Sequence, residues 1–313
     1  MFMAKKIYRS IQEEIQALKK ERDAVILAHN YQVGGIQDVA DFVGDSLALS
    51  QQAKKVKAKV ILFSGVLFMA ETASILCPDK TVLIPSLEAG CSLSSMVHPE
   101  EVRVWRKSHP DGLVVAYVNS TADVKAESDY CCTSANAVKL VEKLPKDKDI
   151  LFIPDYYLGT YVKIRTGREN MTIWNGYCHI HVMIQPEELE ALKKKYPKAE
   201  ILMHPECGCL TKSMKYADQI LSTAGMIKYV DQSTASEFII ATETGLLHKL
   251  RKDHPDKIFI PATDTAFCNY MKQNTLESLV WSLENMKYEI RVSAEIQKRA
   301  ITPIERMLEV CGG

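Results

Sequence analysis

The amino-acid sequence predicts an α/β protein with three pseudo-three-fold-related α/β/α domains, whose short parallel sheets surround a central active site. Strands alternate with helices of roughly 10–15 residues, which is the pattern of parallel sheets covered by helices on both faces. The alternation occurs three times along the chain, and a cysteine ends each copy. These cysteines are Cys91, Cys178 and Cys268, which lie 87 and 90 residues apart. The repeat therefore predicts one thiol from each third of the chain near a common axis.

Each copy opens with a helix and a strand. The predicted helices span 7–21, 99–107 and 186–196. The second and third of them share a proline in the first turn, early glutamates and late basic residues, which suit the helix dipole. The strands that follow are VILAHN from Val25, VVAYVN from Val114 and EILMHP from Glu200.

Each copy continues with a helix, a strand, a second helix and a last strand that leads to the cysteine. We expect the first of these helices to be capped near Ser46, Ser134 or Ser222/Thr223, five residues after Asp41, Asp129 and Asp218. The second helices are predicted over 67–76, 157–166 and 246–252, and two terminal helices over 275–287 and 293–310. The domains are then expected at 1–97, 98–184 and 185–268, with helices in 269–313 packing back on the body.

Composition indicates an ordinary protein of enzyme size. The 313 residues are 47% apolar, and 39 basic residues balance 39 acidic ones, so the sequence predicts no nucleic-acid partner and no anionic membrane surface. No apolar run approaches the roughly 20 residues of a membrane span. The first twenty residues are charged and amphipathic and lack the apolar core of a signal peptide. The sequence therefore predicts a cytoplasmic protein.

The nine cysteines are too few for a disulfide scaffold of this length, and their odd number argues against full pairing. Packing explains Cys77, Cys131, Cys132 and Cys311. Cys207-Gly208-Cys209 is open to metal binding or to a strained disulfide, but it has no counterpart in the other copies. Burial alone gives no reason for a thiol at the same point of each copy, so the three matched cysteines indicate metal ligation.

Two metal centres are compatible with three thiolates. Zinc with three cysteines and an open position activates water, but structural zinc sites draw their ligands from close pairs such as C-x2-C. An iron–sulfur cluster is larger, so loops that are distant in the sequence can converge on it. Three ligands for four irons would leave one iron open to a substrate oxygen, where it acts as a Lewis acid.

Polar residues follow the first strand of each copy, at the edge where parallel sheets bind ligands. They are His29, Tyr31, Tyr117, Asn119, His204 and Glu206. The hydroxyls of Ser46, Ser134 and Thr223 are predicted at helix N-termini, which favour carboxylate or phosphate. Each of these residues also has an ordinary structural explanation: the hydroxyls as helix caps, the histidines as hydrogen-bonded strand ends, and Glu206 as the cap of a turn.

Specific motifs make the chain resemble quinolinate synthase from about Ile26 to Met307. They are ILAHNYQ (26–32), QDVADFVGDSL (37–47), GVLFMAETASIL (65–76), AYVNSTA (116–122), TSANAV (133–138), HPEC (204–207), STAGMI (222–227), TETGLLHKL (242–250) and MKQNTLESL (271–279). The resemblance implies that the three matched cysteines hold a 4Fe-4S cluster whose fourth iron faces substrate. It also implies that iminoaspartate condenses with dihydroxyacetone phosphate to give quinolinate, a precursor of NAD.

The resemblance assigns roles to the polar residues. Glu206 is expected to be the general base, with Tyr31 and Tyr117 as proton donors. His29 and His204 complete the expected catalytic set. The residues expected to bind substrate are His29, Ser46, Tyr117, Asn119, Ser134, His204, Glu206 and Thr223. The expected partners are the two small substrates and an L-aspartate oxidase or dehydrogenase that supplies the imine.

The chain departs from the family pattern in three places. It has Tyr157 where many members carry asparagine and Ile180 where they carry valine. It lacks the C-x2-C-x2-C motif that some bacterial relatives add near the carboxyl end, so a thiol switch would have to use another pair, such as Cys207 and Cys209. Two other functional classes stay open: a non-catalytic iron–sulfur sensor or electron carrier, and a zinc-dependent lyase or hydrolase.

Overall fold

Three four-stranded sheets, each wholly parallel, form the framework of the protein. The structure is a computed structural model that describes residues 8–208, 212 and 214–310. The first sheet contains β1 (Ala24–His29), β2 (Phe42–Gly44), β3 (Val60–Ser64) and β4 (Thr81–Leu83), in the order β2-β1-β3-β4. The second contains β5 (Leu113–Tyr117), β6 (Tyr130–Cys132), β7 (Ile150–Ile153) and β8 (Met171–Ile173), in the order β6-β5-β7-β8. The third contains β9 (Glu200–Met203), β10 (Gln219–Ile220), β11 (Glu237–Ala241) and β12 (Ile258–Pro261), in the order β10-β9-β11-β12.

Helices flank all three sheets and confirm the predicted fold class. Those of the first copy are α1 (Ile11–Arg22), α2 (Gly34–Val39), α3 (Ser46–Lys55) and α4 (Leu67–Leu76). Those of the second are α5 (Pro99–Ser108), α6 (Ala122–Ala126), α7 (Ala137–Lys143) and α8 (Tyr156–Thr166). The third has α9 (Pro186–Lys195), α10 (Thr223–Gln232) and α11 (Leu246–Asp253), and α12 (Leu276–Asn285) and α13 (Ala294–Glu309) end the described chain.

The local sequence explains why the opening helices start where they do. In α5 and α9 a proline occupies the first turn, and a glutamate at the third position hydrogen-bonds back to the amide that precedes the helix. Glutamates in the first turn and basic residues in the last turn complement the helix dipole. Both helices therefore begin where the sequence predicts.

An aspartate joins the first and second strands in the same way in every copy. Its Oδ2 atom accepts the amide hydrogen of a residue in the first strand: Asp41 from Ile26 at 2.7 Å, Asp129 from Val114 at 2.7 Å, and Asp218 from Ile201 at 2.8 Å. A basic residue of the opening helix pairs with each aspartate: Lys19 at 2.8 Å, Arg106 at 2.8 Å and Lys193 at 3.3 Å. We call these three contacts the aspartate clasps. Because the same contact occurs in each copy, equivalent residues can be found by counting from it.

The cysteine loops are also attached to the sheets in the same way. The residue that opens the turn after the third strand donates its amide hydrogen to a carbonyl two positions before the cysteine. The pairs are Leu67 to Ala89 at 2.8 Å, Tyr156 to Gly176 at 2.7 Å and Thr244 to Ala266 at 2.9 Å. A single 3₁₀ turn follows each cysteine, over Leu93–Ser95, His181–Met183 and Met271–Gln273. The pseudo-three-fold relation thus extends to the backbone of the loops that carry the thiols.

The sheets are packed by apolar side chains from both faces. One fully buried phenylalanine lies in an inner strand of each sheet: Phe63 in β3, Phe152 in β7 and Phe238 in β11. Burial of a phenylalanine side chain contributes about 1.5–3 kcal/mol. Cys77, Cys131 and Cys132 are buried in the core shared by the first two sheets, where the sequence predicts packing roles for them.

The terminal helices pack on the first two copies. Leu279 and Leu283 of α12 share a buried cluster with Ile15 and Leu18 of α1. Residues 288–290 then pair antiparallel with β4, and α13 packs on α6 and β6. The domain boundaries that the sequence suggests, at 97, 184 and 268, stay a prediction.

Two details differ from the sequence-based expectation. The helix expected near Ser134 begins at Ala137, because Thr133 and Asn136 form a turn in which the Asn136 side chain accepts the Thr133 amide hydrogen at 2.7 Å. The helices α2 and α6 were not predicted, since six and five residues are too few to show a helical period. Among the described helices, none combines the length and the apolar character that crossing a membrane requires.

Candidate functional site

A cavity lies where the carboxyl ends of the strands of the three sheets face one another. All the side chains for which the sequence predicts a role line it: His29, Tyr31, Ser46, Cys91, Tyr117, Asn119, Ser134, Cys178, His204, Glu206, Thr223 and Cys268. Asp45, His179, His181, Glu243 and Tyr270 also line it. Every copy therefore contributes polar groups to one enclosed space, as ligand sites of parallel sheets require.

The aspartate clasps show that these side chains occupy equivalent positions in the repeat. Three residues after the clasped amides of Ile26, Val114 and Ile201 come His29, Tyr117 and His204. Five residues after the same amides come Tyr31, Asn119 and Glu206. Five residues after the clasp aspartates come Ser46, Ser134 and Thr223. Together with the cysteine position, these three positions make four equivalent positions in each of the three copies. They account for all twelve predicted site residues.

Each of the three cysteine sulfurs faces two backbone amides of its own loop. The amides belong to the second and third residues after the cysteine: Leu93 and Ser94 for Cys91, Ile180 and His181 for Cys178, and Tyr270 and Met271 for Cys268. Amide hydrogens directed at sulfur favour a thiolate and are usual around iron–sulfur ligands. The shared 3₁₀ turn places them there.

Burial opposes this effect in the isolated thiols. It raises the pKa of Cys91 to about 12, and it raises the pKa values of Cys178 and Cys268 as well. The negative charge of Glu206 adds to the rise at Cys178 and Cys91. A positive group, which a bound metal centre supplies, would stabilise the thiolate form of these partly buried cysteines. The three sulfurs fit the role of metal ligands better than that of free nucleophiles.

Glu206 is a buried carboxylate that lines the cavity, as are Asp45 and Glu243. Its Oε2 atom lies 3.2 Å from Nδ1 of His204 and 3.4 Å from Nδ1 of His181. Burial alone would raise the pKa of Glu206, but His181 and His204 outweigh that effect and hold the pKa below its usual value. Burial lowers the pKa of His181 to about 4. At neutral pH the site therefore combines an ionised Glu206 with an uncharged His181.

Two phenols face this carboxylate. The Tyr31 hydroxyl lies 2.6 Å from Oγ1 of Thr242 and 3.4 Å from Nε2 of His181. Burial first, and the charge of Glu206 second, raise the pKa values of Tyr31 and Tyr117 well above their usual range. Both phenols therefore keep their protons and can donate a hydrogen bond or a proton.

His29 is uncharged and has a defined tautomer. Burial and then the positive charge of Lys272 lower its pKa to about 3. Its Nδ1 atom accepts the amide hydrogen of Tyr31 at 3.2 Å, so the proton of the neutral ring is on Nε2. His29 can therefore donate one hydrogen bond to a bound oxygen without bringing a charge.

The three hydroxyls have different settings. Ser46 and Thr223 are the first residues of α3 and α10, whose caps are Asp45 and Ser222. Thr223 Oγ1 accepts a hydrogen bond from Asn30 at 3.1 Å. Ser134 lies before α7 rather than at its start, and its Oγ is 3.1 Å from Nε2 of His204. The helix-start environment that the sequence predicts is therefore present for Ser46 and Thr223 but not for Ser134.

Several polar atoms that line the cavity have no protein partner in the described part of the chain. Oε1 of Glu206 and Oδ1 of Asn119 are buried without one. Buried polar atoms are nearly always hydrogen-bonded in native proteins. These two atoms are therefore available to a ligand.

A second arrangement of metal donors includes one residue, His181, that the sequence did not predict. Cys178 Sγ, a ring nitrogen of His181 and a carboxylate oxygen of Glu206 all lie within 4.8 Å of one another. His181 belongs to the sequence CHIH that follows Cys178, and a cysteine with histidines at this spacing was the available signal. Glu243 and Lys272 were also missed, although both stand in motifs that carry the family resemblance.

The structure does not test the proposed thiol switch between Cys207 and Cys209. Cys207 is buried and its Sγ donates to the carbonyl oxygen of Ala241 at 3.4 Å. Cys209 and Cys311 lie outside the described residues. The thiol switch stays a hypothesis.

Comparisons with known proteins identify the family of the chain. The family model described as Quinolinate synthetase A protein (NadA) matches residues 13–309. A Quinolinate synthase of Pyrobaculum aerophilum is 52% identical over 305 residues, covering 96% of this chain and 99% of the relative. A Quinolinate synthase of Thermus thermophilus is 50% identical over 303 residues, with 96% and 97% covered, and one of Dehalococcoides mccartyi is 52% identical over 305 residues, with 97% and 100% covered. The chain therefore belongs to the quinolinate synthetase A family of enzymes.

Proposed function

We propose that the protein is a quinolinate synthase of NAD biosynthesis. It condenses iminoaspartate with dihydroxyacetone phosphate and releases quinolinate, one phosphate and two water molecules. All the carbon atoms of both substrates and the nitrogen of iminoaspartate are retained in quinolinate, and no external oxidant is needed. The observation that carries the proposal is the single cavity on which twelve side chains from four repeat positions converge.

Cys91, Cys178 and Cys268 would hold a 4Fe-4S cluster. The donor set fits this group, since three thiols line one cavity and each faces two loop amides. When bound, the cluster would supply a Lewis acid at the iron without a protein ligand, and this iron would assist the loss of hydroxide.

A single metal ion held by Cys178, His181 and Glu206 is the competing arrangement. Zinc accepts such ligands, and this set would support a lyase or hydrolase. It would leave Cys91 and Cys268 without a role, although their loops have the same attachment and the same amide pairs as that of Cys178. We therefore favour the three cysteines.

The substrates carry carboxylates and a phosphate, and the cavity offers hydrogen-bond donors for them. The first turn of α10 begins with Thr223 and has the neutral cap Ser222, so its free amides can bind an anion. At α3 the cap is the carboxylate of Asp45, which repels an anion. We therefore expect the phosphate or a carboxylate near Thr223, and neutral hydroxyl or carbonyl groups near Ser46.

Ring closure requires several proton transfers. Glu206 is ionised and has a free Oε1 atom, which makes it the general base. Tyr31 and Tyr117 remain protonated and would donate to developing negative charge on oxygen. His29, through Nε2–H, and His204, with Ser134, would orient the substrate oxygens, and the buried Asn119 Oδ1 would accept from a substrate amine or hydroxyl.

The substrate chemistry implies a supplier. Iminoaspartate hydrolyses readily in water, so an enzyme that oxidises aspartate, an L-aspartate oxidase or dehydrogenase, must produce it close by. We infer that both act in the cytoplasm, without nucleic acid or membrane as partners.

The test is an assay of anaerobically purified protein reconstituted with iron and sulfide. Quinolinate is measured by chromatography after addition of dihydroxyacetone phosphate and freshly generated iminoaspartate. Product that is lost on exposure to oxygen would support the proposal. Zinc without sulfide in the purified protein would refute the cluster. A loaded cluster that forms no product and keeps its spectrum when substrate is added would indicate a sensor or electron carrier instead.

A further inference from the structure

Glu243 and Lys272 form a buried ion pair that the proposed reaction does not use. Lys272 Nζ lies 2.6 Å from Glu243 Oε1, and the two side chains are 8% and 1% exposed. Buried charges are costly unless they are paired and hydrogen-bonded. Such a pair at the edge of the cavity needs a structural or functional reason.

The carboxylate of Glu243 binds the loop of the third cysteine. Its Oε1 atom accepts the backbone amide hydrogen of Cys268 at 2.9 Å, and its Oε2 atom accepts that of Gly245 at 2.7 Å. Gly245 is required at this point, since a Cβ atom there would lie 2.6 Å from the carbonyl oxygen of Tyr31. Glu243 therefore sits between the Cys268 loop and the loop that carries Tyr31.

The ammonium group of Lys272 completes the connection. It donates a hydrogen bond to the carbonyl oxygen of Tyr31 and contacts the ring of Phe267, whose centroid is 5.0 Å away. Lys272 lies four residues after Cys268, in the 3₁₀ turn whose amides face the sulfur. One ion pair thus contacts both the Cys268 segment and the Tyr31 backbone.

The repeat shows how specific this arrangement is. By strand register and by the shared loop bond, the positions equivalent to Glu243 are Val66 and Asp155. Asp155 is buried and interacts with the amide of Cys178, but Val66 has no polar side chain to offer Cys91. Only the copy of Cys268 has both a carboxylate and a lysine among the described residues at these positions.

We propose that Glu243 and Lys272 are positioning residues: their ion pair fixes the Cys268 loop relative to the Tyr31 loop, and so holds one cluster ligand and one proton donor in register. The inference rests on the proposed function. Neither residue is assigned contact with substrate. Removal of Lys272 leaves the buried Glu243 carboxylate without the partner that holds it in place, and the amide of Cys268 then loses its fixed acceptor.

The experiment compares Lys272→Met with Lys252→Met, which removes an exposed lysine paired with Asp38. Each reconstituted protein is exposed anaerobically to an iron chelator, and the loss of the visible absorption of the cluster is followed. Lys272→Met should lose iron about tenfold faster than the parent or more, the range typical of outer-shell partners of metal ligands. Lys252→Met should match the parent.

Rescue separates positioning from general destabilisation. Lys272→Arg keeps the charge and should recover most of the iron retention. The double variant Glu243→Gln with Lys272→Met removes both charges but keeps an acceptor for the Cys268 amide, so it should lose iron more slowly than Lys272→Met alone. The thermal unfolding of the metal-free proteins serves as the measure of general damage.

Three outcomes would overturn the inference. Iron release from Lys272→Met at the rate of the parent would show that the pair does not hold the ligand loop. Equal release from the single and double variants, with a matching drop in unfolding temperature, would show an ordinary structural pair. A parent that binds no iron and sulfide would refute the proposed function together with this inference, whereas a loaded parent with unaffected variants refutes the inference alone.

Discussion

Replacing Glu206 with glutamine tests the centre of the proposed mechanism. The substitution keeps the shape of the side chain and an oxygen for His204, but it removes the negative charge and the ability to accept a proton. Glu206 is 2% exposed, and its Oε1 atom has no partner in the described structure. The change therefore acts on the group that we expect to take a proton from substrate.

The expected size follows from the role of the group. A positioned general base contributes about 10²–10⁴-fold to the rate, which corresponds to about 2.7–5.4 kcal/mol at 1.36 kcal/mol per decade. The effect on stability should be smaller, because loss of the carboxylate's interaction with two imidazoles is offset by relief of a buried charge. We expect the turnover number to fall by about 10²-fold or more, with unchanged iron and sulfide content.

The assay measures quinolinate formation by the reconstituted variant under anaerobic conditions, beside iron and sulfide analysis. Glu190→Gln is the matched control, since Glu190 is a partly exposed glutamate of the same copy that pairs with Lys194. It should retain the activity of the parent. Turnover of Glu206→Gln within about threefold of the parent, at equal cluster content, would refute the assignment of Glu206 as the base.

Three further predictions concern the ligands and the frame. Cys91→Ala should lose cluster iron and quinolinate formation together, as measured by metal analysis and product assay. Burial would raise the pKa of Glu127, but hydrogen bonds from Arg299 and Arg103 outweigh it and lower the pKa. That stabilisation is fully present above the usual pKa of 4.5 and is lost as the pH falls through the lower pKa of the folded protein. Between pH 7 and a pH well below 4.5, urea midpoints of Glu127→Gln should therefore fall less than those of the parent. Asp129→Asn weakens one aspartate clasp, because the substituted side chain keeps an acceptor but loses the charge. It should lower the free energy of unfolding in urea by about 1 kcal/mol, and an unchanged value would contradict a stabilising role for the clasp.

The fold could be predicted because the repeated elements depend on residues that act locally, within a few positions of each element. A proline and two glutamates specify the starts of α5 and α9, and aspartates at matching positions form the clasps. The predicted start of α7 was wrong because a local side chain competes with the helix. The Asn136 side chain accepts a hydrogen bond from the Thr133 amide, and α7 begins after Ser134, at Ala137. The strength of such competition depends on the turn geometry, which the sequence pattern does not reveal.

The site could be predicted only in part, for a related reason. Repetition identifies a position when all copies place a polar or metal-binding group there, as with Cys91, Cys178 and Cys268. It cannot identify a group that one copy alone has acquired. Thr242 is such a case, since its hydroxyl contacts Tyr31 and His181, while the equivalent residues are Gly65 and Pro154.

The proposed chemistry depends on the differences between the copies. A symmetric frame would surround the cavity with three identical sets of groups, which suits a metal cluster with equal ligands but not two different substrates. The position that holds Tyr31 in the first copy holds Asn119 in the second and Glu206 in the third, so the proposed proton donor, hydrogen-bonding amide and base all come from one repeat position. At the neighbouring position His29, Tyr117 and His204 diverge less, and of these three only Tyr117 is proposed to donate a proton. Exchanging the side chains of Tyr31 and Glu206 should therefore abolish quinolinate formation while leaving the three cysteine ligands in place.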